Sequence, residues 1–183
     1  MQKFDKNEIL GIFLIIFIII VFYYPSIYSP FAIDDSCHLM LGKNMKFSDI
    51  LKSFTYKQQP QKYRPLSVQT YFFTLWKLFG ANSVPYHLVN LLFFSIEAIL
   101  LFFILKEMCH SLLVSFLTVL IYITRTAHTG IVYFVSGGAG EFIMGMFVLL
   151  SFLSYLYFKK VEKRKFFVLS VFFYILALWS KLH

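Results

Sequence analysis

A chain of 183 residues that is 59% hydrophobic, holds 24 Phe and is only 14% charged carries more apolar surface than a soluble core of this size can bury. A soluble globular domain is therefore excluded. The net charge of +8 forms no basic face interleaved with aromatics, so it argues against nucleic acid and is read instead as membrane topology.

The apolar residues fall in runs near the ~20 residues a spanning helix requires, with polar residues between them, which predicts an all-α transmembrane bundle rather than a barrel. The first run, Ile9 to Tyr24, follows Lys3 and Lys6. Where a signal peptide would carry small residues it has Tyr23, Tyr24 and Pro25, so it is expected to be an uncleaved first helix with an aromatic belt. The long polar stretch, 25–85, contains Leu39, Met40, Leu41, Phe47, Ile50, Leu51 and Phe54 at spacings near three and four, which marks short amphipathic helices. Leu66 to Phe79 repeats the pattern and is expected to lie along the membrane interface.

Tyr86 to Leu105, Leu112 to Thr124, Ile131 to Phe158 and Phe166 to Trp179 complete an expected total of about five transmembrane helices in a single module, 1–183. Lys159, Lys160, Lys163, Arg164 and Lys165 form the densest positive cluster in a short loop, which the positive-inside rule makes cytoplasmic. Counting back puts the amino terminus and Lys106 on that side, and 25–85 and Arg125 to Gly130 outside. The seven Lys and Arg of the 25–85 loop oppose this only weakly, because charge in long loops counts little towards orientation. Cys37 and Cys109 fall on opposite sides and are not expected to pair.

Asp34 and Asp35 are the only adjacent acids. Either one caps the following helix while the other is solvated, or one is a general base at the membrane surface, taking the proton from an acceptor hydroxyl as a sugar leaves its lipid phosphate. Arg64, beside Pro65, is suited to a two-pronged contact with phosphate or to snorkelling among headgroups. His87 and Asn90 open the second helix, where they either bind substrate or make helix-packing hydrogen bonds. Glu97, seven residues beyond Asn90 on the same helical face, and Glu141 are acids inside apolar runs and should face the bundle interior. Ser136 to Gly140 lacks the lysine and preceding strand of a phosphate loop, so close helix packing accounts better for its glycines.

An ordered set of motifs runs through the chain: Phe-Ala-Ile-Asp-Asp from Phe31, Tyr-Arg-Pro-Leu from Tyr63, Gly-Ala-Asn from Gly80, Tyr-His-Leu-Val-Asn-Leu-Leu from Tyr86, His128-Thr129, Ser136-Gly137 and Ser180-Lys181. This set resembles the amino-terminal half of GT-C glycosyltransferases. The likeness is nearest to the TPR-containing transmembrane O-mannosyltransferases and their bacterial relatives, and more distant to the dolichyl-phosphate-mannose protein mannosyltransferases. The resemblance implies a polyprenyl- or dolichyl-phosphate-sugar donor, transfer on the non-cytoplasmic face, a base at Asp34 or Asp35, substrate contacts from Arg64, His87, Asn90, His128 and Lys181, and no organic cofactor; a divalent metal is left open. The sequence departs from the family pattern at Gly130, Gly138 and Gly140, where relatives carry charged residues, and Glu141 stands one position late. Only Leu182 and His183 follow Lys181, so the chain is expected to be an incomplete GT-C-like module. Two alternatives remain: a non-catalytic membrane subunit that keeps the fold, and a transporter component using Glu97 and Glu141. The transporter predicts inverted repeats, which the sequence does not show.

Overall fold

The computed structural model describes residues 5–55 and 63–181, with no strand among them; Lys3, Lys57, Lys62, Leu182 and His183 lie outside the described residues. Nine α-helices are described: α1 (Lys6–Tyr23), α2 (Ile33–Asn44), α3 (Phe47–Ser53), α4 (Tyr71–Phe79), α5 (Ser83–Cys109), α6 (Leu112–Ile123), α7 (Thr126–Tyr133), α8 (Val135–Val161) and α9 (Arg164–Ser180). A 3-10 turn at Tyr24–Tyr28 follows α1, and a π-helical turn at Pro65–Thr70 precedes α4.

The helices start and stop where local chemistry dictates. The Asn82 side chain accepts from Val84 N–H at 3.2 Å and starts α5. Gly80, with φ +59°, ends α4 in a conformation that costs glycine little. His110 and Glu162 take the same left-handed region at the ends of α5 and α8, without glycine, and turn the chain back at once into α6 and α9.

The centre of the bundle is α5. Gly11 of α1 lies against the Phe102 ring and Tyr23 packs edge-on against Phe94 at 5.6 Å, so α1 runs antiparallel to α5. The Tyr23 hydroxyl donates to the Ile123 carbonyl at 2.7 Å and ties α1 to the end of α6. Along α8 the pairs Asn90–Val135, Phe94–Phe142 and Glu107–Lys160 advance together, so α5 and α8 are parallel. From α8 the chain folds back antiparallel into α9, with Phe158 on Phe167, Ser151 on Ser170 and Phe147 on Phe173.

Two apolar clusters result. One joins α1, α5, α6, α7 and α8 around Ile15, Ile19, Phe94, Phe102, Val119, Val132 and Phe142. The other joins α2, α4, α5 and α8 around Leu39, Phe72, Tyr86, Val135 and Ile143. The second cluster adds to the expectation for Leu66 to Phe79: Tyr71, Phe72 and Leu75 pack into the bundle, where each such side chain gains roughly 1.5–3 kcal/mol by leaving water, while Leu78 and Phe79 stay exposed.

Three segments are long and apolar enough to cross a bilayer: Lys6–Tyr28, α5 and α8. They become four if α6 and α7, bent by 56° at their junction, count as one. Taken alone, the 12 residues of α6 rise only ~18 Å against a hydrocarbon core of ~30 Å, and the 17 of α9 rise ~26 Å, at the short limit for a spanning helix. The expected five crossings thus become three or four. The expected turn from Arg125 to Gly130 is also revised, because most of it folds as α7. Phe134 then breaks the helix in an extended conformation, so the helix expected from Ile131 begins afresh at Val135.

The contacts also sort the chain ends. Lys106 pairs with Glu8 and Lys160 with Glu107, at the end of the bundle that also carries Lys163 to Lys165. The described parts of 25–85, the α6–α7 junction, the start of α8 and Lys181 lie at the other end. Cys37 and Cys109 accordingly sit at opposite ends, both exposed and free.

The crossing of α2 and α4 is set by Gly42, where a Cβ would lie 2.7 Å from the Phe72 carbonyl oxygen, a main-chain atom that cannot swing away. Gly42→Ala should cost about 1–3 kcal/mol in thermal unfolding of the detergent-solubilised protein. Gly130→Ala, which meets nothing within 4 Å inside a helix, should be neutral or stabilising. Equal unfolding temperatures for Gly42→Ala and wild type would refute the tight crossing.

Candidate functional site

Because α2 begins at Ile33, with Ala32 as its cap, both acids lie in its first turn, about 100° apart around the axis. They are consequently separated in role. Asp34 is exposed, while Asp35 is fully buried. One oxygen of Asp35, Oδ2, accepts from Ala32 N–H at 2.9 Å and Val135 N–H at 3.3 Å, and Oδ1 accepts from Ser136 N–H at 2.8 Å. A single carboxylate therefore closes the first turn of its own helix and caps α8, a hundred residues on, where the helix dipole favours negative charge. With three N–H donors on its two oxygens and no exposure, Asp35 acts as a structural clamp, which matches the capping alternative for this pair.

Asn90 meets the same point from the other side. Its Nδ2 donates to the Val135 carbonyl at 2.9 Å and its Oδ1 accepts from the Tyr71 hydroxyl at 2.9 Å. The Tyr71 hydroxyl also lies 3.0 Å from the Tyr86 carbonyl, and Tyr86 in turn donates to the Gly80 carbonyl at 2.9 Å. Burial, aided by nearby Tyr86 and Asp35, pushes the Tyr71 phenol well above its ordinary pKa and keeps it a donor. His87, also buried, faces the main chain of Ser29 and Val132. Asn90 thus makes helix-packing hydrogen bonds, whereas His87 is buried with neither ring nitrogen hydrogen-bonded among the described residues.

His128 is boxed by Tyr122 at 4.7 Å, Phe94 at 5.1 Å and Phe142 at 6.4 Å, beside Glu97, whose Oε1 accepts from the Tyr122 hydroxyl at 2.8 Å. It lies inside the bundle, separate from the surface that carries Asp34. Lys181 forms an ion pair with Glu141, and the Ser67 hydroxyl donates to the Ser180 carbonyl, so the π-helical turn, α8 and the end of α9 are joined.

Arg64 is half-buried, its Nη1 lies 3.7 Å from where a Cβ on Gly140 would stand, and its buried Nε, like the ring nitrogens of His87 and His128, has no hydrogen-bond partner among the described residues. Among the described residues no carboxylate lies within ion-pair distance of it. The positions on α8 touched by Asp35 and by Arg64 are separated by four to five residues, a rise of ~7 Å. An apolar groove of about 290 Å³ lies between α4, α5 and α8, lined in part by Leu66, Tyr71, Leu75, Phe93, Ile143 and Phe147; Arg64 is not part of its lining but precedes Leu66 by two positions. No group of three or more His, Cys, Asp or Glu side chains able to hold a metal occurs among the described residues.

Tyr71, Tyr122 and Ser67 complete these networks, although the sequence does not single them out. Tyr71 and Tyr122 read as interface or core aromatics, and nothing in their spacing names partners 19 and 25 residues away.

Asp35→Asn replaces one acceptor oxygen by an NH₂ facing N–H donors and should destabilise the protein by about 2 kcal/mol, whereas Asp34→Asn should leave thermal unfolding unchanged. Equal unfolding temperatures for the two variants would remove the clamp assignment.

Compared with family models, with curated proteins and with solved structures, the chain gives no match.

Proposed function

We propose that this chain is the donor-binding part of a membrane glycosyltransferase that takes a sugar from a polyprenyl-phosphate carrier. One observation carries the proposal: the Arg64 guanidinium, with no carboxylate within ion-pair distance among the described residues, precedes by two positions Leu66 in the lining of an apolar groove, at the same end of the bundle as the exposed carboxylate of Asp34.

The chemistry follows from those three parts. The isoprenoid chain takes the groove, and its phosphate takes Arg64, which presents paired donors to two oxygens. The acceptor hydroxyl attacks the anomeric carbon as the carbon–oxygen bond to phosphate breaks. Asp34 removes the hydroxyl proton, polyprenyl phosphate leaves, and the anomeric configuration inverts. Asp35 supports the reaction only by fixing the turn that carries Asp34.

The positive cluster at the opposite end supports the non-cytoplasmic face as the side of this chemistry. A cysteine at Ala81, in a protein otherwise free of cysteine, should react with an impermeant maleimide in intact cells, and one at Lys163 only after permeabilisation. The reverse pattern would invert the topology and remove the reading.

A non-catalytic membrane subunit is favoured by a different observation: Asp35, Asn90 and Lys181 are satisfied within the chain. Two measurements on the reconstituted protein separate the readings. Arg64→Lys should weaken binding of polyprenyl phosphate about tenfold, the value of one charge-assisted hydrogen bond, although charge is kept. With radiolabelled polyprenyl-phosphate hexoses, Asp34→Asn should lower release of polyprenyl phosphate by ~10²- to 10⁴-fold. Unchanged binding in Arg64→Lys together with unchanged release in Asp34→Asn would leave the subunit reading standing.

A further inference from the structure

The amphipathic helices α2 and α3 have two apolar faces, and the bundle uses only one. The inward face carries Leu39, Gly42 and Ile50, beside Asp35 and Ser53. On the outward face of α2, Ile33 is 88% and Met40 66% exposed, with exposed Cys37 between them; on α3, Phe47 is 68% and Leu51 60% exposed. Exposed Lys43, Lys46 and Lys52 flank this second face.

We infer that the outward face of α2 and α3 rests in the headgroup–acyl boundary of the phospholipid leaflet at this end of the bundle. Continuity places it there. The lipid-facing side of α1, with exposed Phe13, Phe17, Val21, Phe22 and Tyr24, runs through the 3-10 turn to exposed Tyr28, and only four residues then separate that turn from Ile33. At the far end α4 is followed after three residues by the spanning helix α5. A segment tethered this closely to spanning helices at both ends stays near headgroup level. With the inward face of α2 packed on α4 and α8, and that of α3 on the π-helical turn, the outward apolar residues meet the leaflet. The lysines then extend their stems along the apolar surface and place their ammonium groups among phosphates.

Cys37 supplies the probe. In a Cys109→Ser background it is labelled with an environment-sensitive fluorophore and the protein is reconstituted into phosphatidylcholine vesicles. Phospholipid brominated high on the acyl chain should quench this probe strongly. The same fluorophore on Ala81→Cys, in a protein lacking both native cysteines, should be quenched mainly by aqueous iodide. The triple variant Met40→Gln, Phe47→Gln, Leu51→Gln should lose most of the lipid quenching at Cys37. Free access of iodide to Cys37 would overturn the inference, and so would protection from both quenchers, which would mean a second copy or another protein covers the face. Neither result bears on Asp34 or Arg64, so the glycosyltransferase reading stands or falls separately.

Discussion

The parallel contact between α5 and α8 is the constraint on which the other arrangements rest. Asn90 and Glu97, seven residues apart on α5, face Gly138 and Gly145, seven apart on α8. A Cβ on Gly138 would stand 3.1 Å from Cγ of Asn90, and one on Gly145 would meet the Glu97 carboxylate. In a bilayer, lipid tails are as apolar as leucine, so helices gain little by hiding hydrophobic surface from one another. Close approach at small residues and hydrogen bonds between helices do that work instead. Here the glycines supply the space and the polar side chains fill it.

Once α5 and α8 are in register, the fold of the long loop follows. Val135, the first residue of α8, offers its carbonyl to Asn90 and its N–H to Asp35. The end of α8 thus becomes the anchor for α2, and Gly42 lets α4 close over it. Helix ends are where main-chain groups lack partners, and close to a membrane an unmet N–H is costly. A buried carboxylate serving two helix starts answers that cost with one side chain. This also separates adjacent acids: satisfying Asp35 turns Asp34 outward.

The two ends of the bundle are held differently. At the end with the positive cluster, the described ties are ion pairs between helix termini, Glu8 with Lys106 and Glu107 with Lys160. The other end is held by buried neutral hydrogen bonds, by the Asp35 clamp and by the Glu141–Lys181 pair. Among the described residues Arg64 has no carboxylate within ion-pair distance at this end, which leaves its guanidinium available to an anion.

Several features were legible in the residues themselves. Apolar runs of membrane length determined a helical bundle, and the seven-residue step from Asn90 to Glu97 placed both on one interior face. The glycines of 136–140 read correctly as packing, and the cysteines as too far apart to pair. Each is a local property, set by hydropathy, helical period or residue size, and neighbours in sequence suffice to express it. Only the tertiary structure decided which acid of the pair is exposed, that α4 turns Tyr71, Phe72 and Leu75 inward, that α6 breaks into α7, and that Lys181 is taken by Glu141. Those outcomes depend on contacts between residues distant in sequence, such as Tyr71 with Asn90, Lys181 with Glu141 and Asp35 with Ser136. No periodicity encodes such pairs, because they form only once separate helices are packed together.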